Sequence, residues 1–345
     1  MYMKKIFSIL LMSLGLTAFS QQVESIETIL NDKISIRAIE LYDHKVWYSG
    51  TDSKFGFVDL QDYKNQKQIK LSEDKLQFRT LAQDKTSFYA INIESPAYFF
   101  KIDKKDLKSQ VVFKDTAKTA FYDALHFVKD GYGITFSDPD KNLLMKLALL
   151  FPQKKMYELW NPPISNHEKL KLKEGEAAFA ASNTNIASYK DILWIATGGK
   201  ASRIFKQKGL DWKIIETPFI QGESSQGMYS IDFYEDKFGI AVGGDYTRQE
   251  ANVNNMATTY DGGETWQIQA SGQNAGYSTC VKIKPGSKGK EIIAVGDRHI
   301  SYSSDFGKTW KKISDEKGFF VCQWIDANNV ALAGNNRIAV MKLKF

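Results

Sequence analysis

One phrase recurs along the chain and limits its fold more than any other feature. A short β-rich run leads through a polar turn into a second, more apolar run that ends in small residues. The second run reads KVWYSG (45–50), SFYAIN (87–92), GYGITF (131–136), ILWIATGG (192–199), FGIAVGG (238–244), EIIAVGD (291–297) and VALAGN (330–335). The run before it reads IRAIEL (36–41), FRTLAQ (78–83), YDALHF (122–127), FAASNT (179–184), YSIDFY (229–234), STCVKI (278–283) and FVCQWI (320–325). A basic loop, a third strand, a turn and often a Trp follow. Seven such units succeed one another at roughly 42–57 residues. Units of this length predict a β-propeller, with one four-stranded blade per unit, since a blade cannot bury both faces alone. Two β-sandwiches are the competing architecture. The last unit stops at RIAVMKLKF, a third strand without a fourth, while VESIETIL (23–30) is a strand without a unit. The expected fold is all-β: a seven-bladed β-propeller with the N-terminal strand closing the last blade. No Pro/Gly/Ser-rich linker interrupts the series, so one domain is expected over 21–345.

The first residues, MYMKKIFSILLMSLGLTAFSQQ, carry Lys4 and Lys5, an apolar run from Ile6 to Leu16, and the small-x-small site Ala18-Phe19-Ser20. This pattern predicts a signal peptide over 1–20, removed near Ser20/Gln21, and not a membrane span. The mature chain has no later apolar run long enough to cross a bilayer, and is expected to be exported to the periplasm or the medium as a monomer. The formal charge of +6 falls to 6 − 2 = +4 without the two lysines, too mild to argue for nucleic acid. Aromatic residues at 13% favour pleated structure.

Two octamers stand out, TYDGGETW at 259–266 and SSDFGKTW at 303–310. Each suits the hairpin between a third and a fourth strand. Asp261 and Asp305 can accept hydrogen bonds from the turn backbone. Gly263 and Gly307 can take positive φ. Thr259, Ser303, Thr265 and Thr309 supply hydroxyls, and Trp266 and Trp310 supply large rings to bury between blades. Every element has a folding role and none needs a substrate. The octamer resembles the Asp-box, or BNR repeat, found in bacterial sialidases, sortilin-type receptors, some glucanases and the photosystem II stability/assembly factor family of propellers. The assembly-factor-like resemblance is carried by 226–345; the remainder shares only the blade rhythm. It implies a protein-binding or assembly role and an arginine-rich patch, carried here to Arg203, Arg248, Arg298 and Arg337.

Chemistry is expected opposite the octamers, in the loops between second and third strands. Those loops place Lys54, Lys141, Lys200 with Arg203, Arg248, Arg298 and Arg337 around the channel mouth. Such a ring would attract an acidic protein or peptide, or an anionic glycan, with Arg suited to carboxylates by its two-donor fork. Arg37 and Arg79 align on inner strands of adjacent units, followed by Asp123; the two arginines join the candidate binding residues, with a structural pairing of Arg79 with Asp123 as the competing role. The competing function is a sialidase-like glycoside hydrolase. That chemistry needs three arginines, a Tyr–Glu pair and an acid, or two facing carboxylates, and no third inner-strand Arg can be assigned. His44, His126, His167 and His299 lack metal spacing, so no metal or cofactor is expected. Cys280 and Cys322 align on the innermost strands of the last two units. A disulfide across the channel is one possibility for an exported chain, but two buried thiols are expected, since neighbouring blades can hold the pair beyond bridging distance. The segments 161–179 and 246–256 are the long loops where recognition would sit.

Overall fold

The computed structural model describes residues 22–128, 131–160, 163, 166 and 168–344. The leader expected at 1–20, its cleavage point and His167 lie outside these residues. The chain forms a β-propeller. Second strands are buried along most or all of their length, as in Ser87–Ile91, Gly133–Ser137, Ile192–Ala196 and Ile292–Gly296. This explains their near-continuous apolar character, because a strand packed on both faces has no solvated side to alternate toward. Outer strands such as Gln66–Lys70 are exposed and polar.

The described strands join into six hydrogen-bonded sheets, a correction to the seven expected blades. The cause is the first strand, Gln22–Tyr42, which is 21 residues long. Its first half pairs antiparallel with Asn329–Lys344, from Gln22 opposite Lys344 through Ile26 opposite Met341 to Leu30 opposite Ile338. Its second half pairs with Lys45–Gly50, placing Glu40 opposite Trp47. One unbroken strand therefore fuses the first and last units into one six-stranded sheet. The other six-stranded sheet gains Glu176–Ala177 and Gly198–Gly199 through a bridge from Gly198 to Gly227. Only glycine fits there: a Cβ on Gly227 would lie 2.4 Å from the Gly198 Cα.

Apolar clusters lie between neighbouring sheets, so the core is distributed around the ring. Trp47 packs on Phe88 at 4.5 Å, Tyr89 on Phe127 at 4.9 Å, and Trp194 stacks on Phe233 at 3.8 Å. The octamers lie between third and fourth strands and close in matching ways. In the first, the Thr259 hydroxyl donates to Asp261 at 2.8 Å, and Asp261 accepts from the Thr265 amide at 2.9 Å and hydroxyl at 2.6 Å. In the second, Ser303 donates to Asp305 at 2.9 Å, and Asp305 accepts from the Thr309 amide at 2.9 Å and hydroxyl at 2.7 Å. Burial raises the Asp261 carboxyl, but the hydroxyl and amide bonds outweigh it and hold it below its ordinary range. The indole N–H of Trp266 donates to the Gly263 carbonyl, and that of Trp310 to the Gly307 carbonyl. Trp194 of the preceding unit donates to the Gly262 carbonyl at 2.9 Å, so the first octamer also ties two units together.

FAASNT does not form the inner strand expected of it. The inner strand of that unit is Ile186–Tyr189, and the residues before it cross the channel. The Asn183 side-chain N–H donates to the carbonyls of Leu81 and Leu125, and its oxygen accepts from the Leu125 amide. The Ser182 hydroxyl donates to the Thr279 carbonyl at 2.6 Å, and Thr184 bonds the Ser230 hydroxyl at 2.7 Å. Small, hydroxylated and amide side chains suit this route, because the segment must satisfy its polar groups against several units at once.

Candidate functional site

Inner strands of a propeller run from one mouth of the channel to the other. Antiparallel succession places first–second and third–fourth hairpins at one mouth, and second–third loops at the other. The Gly262 amide donates to the Lys237 carbonyl at 2.8 Å, which locates the first octamer on the face of the first–second hairpins. At the opposite mouth lies a cavity of about 460 Å³. Arg37, Arg79, Tyr229, Tyr277, Asp297 and Phe320 are among its walls, and Phe179–Ala181 of the crossing segment form its floor.

The two arginines expected on inner strands meet here, Arg37 from the strand Gln22–Tyr42 and Arg79 from the stretch just before the strand Ala82–Gln83. Arg37 donates to the Ala181 carbonyl at 3.1 Å, and its guanidinium lies 4.0 Å from the centre of the Phe320 ring. Arg79 donates to the Ala180 carbonyl at 3.5 Å. Burial, and then the neighbouring Arg79 charge, lower the Arg37 pKa to about 10, with Tyr277 and Asp297 opposing. Both remain cations at neutral pH. Among the described residues neither joins an ion pair, so each guanidinium keeps donors for a guest. The wall beside them is aromatic: Phe179 stacks on Tyr229 at 3.9 Å, and Tyr229 meets Tyr277 edge-on at 4.8 Å. Burial raises both phenols, so neither is an activated nucleophile. Tyr246, half exposed, stands at the rim.

Asp123 sits buried, without a side-chain hydrogen-bond partner among the described residues. Burial, and then Asp138, raise its pKa well above the ordinary carboxylate range against the opposing charge of Arg79. It forms no ion pair with Arg79 and is not part of the cavity wall.

The loop arginines do not form an open basic ring. Arg203 is a correction: it is buried, its Nε donating to both Glu176 oxygens at 3.0 Å. A buried guanidinium requires such a partner. Arg248 donates to Asp245 at 3.0 and 3.1 Å, Arg298 lies 3.5 Å from Glu250, and Arg337 donates to Glu316 at 2.7 Å. Lys54 pairs with Asp32 at 2.6 Å, whereas Lys141 and Lys200 are exposed. Each loop arginine thus has a carboxylate beside it, whereas Arg37 and Arg79 join no ion pair among the described residues. Sequence reasoning missed the aromatic wall, although Phe179, Tyr229 and Phe320 each head an inner run.

Cys280 and Cys322 are buried and unbridged, with their Sγ atoms 3.7 Å apart, closer than expected for neighbouring units. Among the described residues no cluster of three or more His, Cys, Asp or Glu could hold a metal ion.

These features define an all-β propeller with a cationic, aromatic-walled cavity at one channel mouth. No protein-family model matches the chain, and no curated protein matches it. Among solved structures it is similar to one described as YCF48 bound to D1 peptide, with a TM-score of 0.64, 10% identity, and coverage of 93% of this chain and 97% of the other. At that identity the likeness concerns the fold.

Proposed function

We propose that this chain is an exported, monomeric, non-catalytic propeller that binds an acidic protein or peptide through the mouth opposite the octamers. The carrying observation is the pair Arg37 and Arg79, without ion-pair partners among the described residues, in a 460 Å³ aromatic-walled cavity. Guanidinium forks suit carboxylates, and aromatic rings supply apolar contact at small entropic cost. The solved propeller of similar fold is itself described with a bound peptide, which supports this reading. Arg248 and Arg298 stand at the rim as steering charges, and the octamers serve as Asp-box staples of the framework. The hydrolase alternative asks for a third arginine and a Tyr–Glu pair; the described lining has two arginines, three tyrosines and one carboxylate, Asp297.

Fluorescence anisotropy with a labelled Asp/Glu-rich peptide tests the site. Arg37→Ala and Arg79→Ala each weaken binding by about 10–100-fold, the size of a lost charge-assisted hydrogen bond. Arg248→Ala combined with Arg298→Ala changes mainly the association rate and its salt dependence. Unchanged affinity in both cavity variants refutes the reading, as does binding of an anionic glycan such as heparin in place of the peptide. Export is checked by N-terminal sequencing of protein from the cell envelope or medium. The mature chain is expected to begin at Gln21, and an intact Met1 there would count against it.

A further inference from the structure

The octamer-bearing face has a cavity of its own, of about 350 Å³. Ser182–Thr184 of the crossing segment line it, while Phe179–Ala181 line the other, so one stretch of chain stands between the two. Six of its wall residues come from equivalent places on the inner strands of six units, the strand Ile186–Tyr189 contributing Ser188 beside them. Glu40 lies opposite Trp47, Gln83 opposite Phe88, His126 opposite Ile134, Asp232 opposite Ile240, Lys282 opposite Ile293, and Gln323 opposite Ala331. All six side chains are half-buried and face the channel, where a polar group withdrawn from bulk water must be compensated. A polar ring at one level of the channel is therefore a built feature.

The groups of this ring are only partly used by the protein. Glu40 accepts from Gln83 at 2.7 Å, and burial raises its carboxyl to about 7 against the opposing effects of Gln83, Lys282 and Lys104. Asp232 spends one oxygen on the Ile283 amide at 2.8 Å, and burial raises its carboxyl as well. His126 is neutral, its pKa lowered to about 4 by burial, with Nε2 bonded to Ser188 at 2.7 Å. Lys282 keeps its proton: burial opposes the charge, but Asp232, the two cysteines and Glu40 together outweigh it. Among the described residues the Lys282 ammonium joins no ion pair. The cavity thus holds free acceptors on two carboxyls, free donors on one ammonium and both kinds on Gln323, between aliphatic walls and the rings of Phe127 and Phe233.

We propose that this second cavity binds a small uncharged polyhydroxylated molecule, a monosaccharide or similar polyol, whose hydroxyls donate to Asp232 and Glu40 and accept from Lys282. An anion would face two carboxyls, and a cation would face the ammonium. A zwitterion would have to be stripped of water at both charges. A hydroxyl both donates and accepts, so it matches a ring of mixed polarity at the smallest desolvation cost. The site lies across the crossing segment from the proposed peptide cavity and does not depend on that reading.

Isothermal titration of the purified protein with D-glucose, D-galactose and D-mannose tests this, with glycine and glutamate as charged counterparts. Saturable heat is expected with at least one sugar and none with the two amino acids. Asp232→Asn and Lys282→Met each weaken sugar binding by about 10–100-fold. Circular dichroism checks that the variants fold, and Gln323→Leu, which removes a neutral group, stands in for any that does not. No heat with any of the sugars overturns the proposal. So does heat with the amino acids instead, or sugar affinity unchanged in every folded variant.

Discussion

Replacing Glu176 by alanine lowers the unfolding free energy by about 3–5 kcal/mol, the range for a buried charge that loses its partner. The Glu176 side chain is fully buried and is the main counterion of Arg203. It also accepts from the Thr197 hydroxyl at 2.6 Å and from the Lys173 amide at 2.8 Å. Without the carboxylate, the guanidinium keeps the Lys171 carbonyl at 2.9 Å, the exposed Glu216 at 3.7 Å and the face of the Phe205 ring. Equilibrium urea unfolding followed by tryptophan fluorescence measures the loss. Arg203→Met combined with Glu176→Leu is expected to cost less than the sum of the two single changes, because no charge is then left buried. A single-variant loss below about 1 kcal/mol, the worth of an ordinary hydrogen bond, would refute the structural role. The pair matters beyond stability. Glu176–Ala177 lies directly before the segment that crosses the channel and floors both cavities.

A chain that begins at Asp32 is expected to lose cooperative folding, whereas one that begins at Gln22 keeps it. Residues 22–31 supply the strand that covers the outer edge of Asn329–Lys344. Their removal uncovers Ile338, Met341 and Leu343, all fully buried in the intact protein, and deletes buried Ile29 and Leu30. Each of the two deleted side chains contributes about 1.5–3 kcal/mol, and each ladder bond roughly 1 kcal/mol net. Together these approach the total stability of a typical domain, about 5–15 kcal/mol. The unpaired edge also becomes a template for association. Thermal unfolding and size-exclusion chromatography read the result, and a synthetic peptide of residues 22–31 added in trans should restore the folded form by strand addition. A truncated chain that melts as the longer one does would show that the strand does not close the ring.

Much of the framework was legible because it is local and periodic. The runs SFYAIN and ILWIATGG announce buried strands by composition alone, and VESIETIL could be matched to RIAVMKLKF because one lacks a unit and the other lacks a strand. The octamers carry their own hydrogen-bonding partners within eight residues. FAASNT was misplaced because its alternation of small and polar residues suits a strand as well as a channel-crossing segment. What decides between them is the partners Leu81, Leu125 and Thr279, each more than fifty residues away. Arg203 was misplaced for a similar reason: its counterion Glu176 lies 27 residues earlier on a different strand.

The sequence by itself determined the fold class, the repeat, the pairing of the chain's two ends and the equivalent places of Arg37 and Arg79 in adjacent units. Each is written in short-range periodicity or in a mismatch between units. Tertiary structure alone decided the count of six sheets, since an unbroken first strand can serve two units only once the ring has closed. It also decided which arginines remain available. Each loop guanidinium lies beside a carboxylate that neighbouring loops or strands bring to it, while Arg37 and Arg79, at the start of their units, face a cavity.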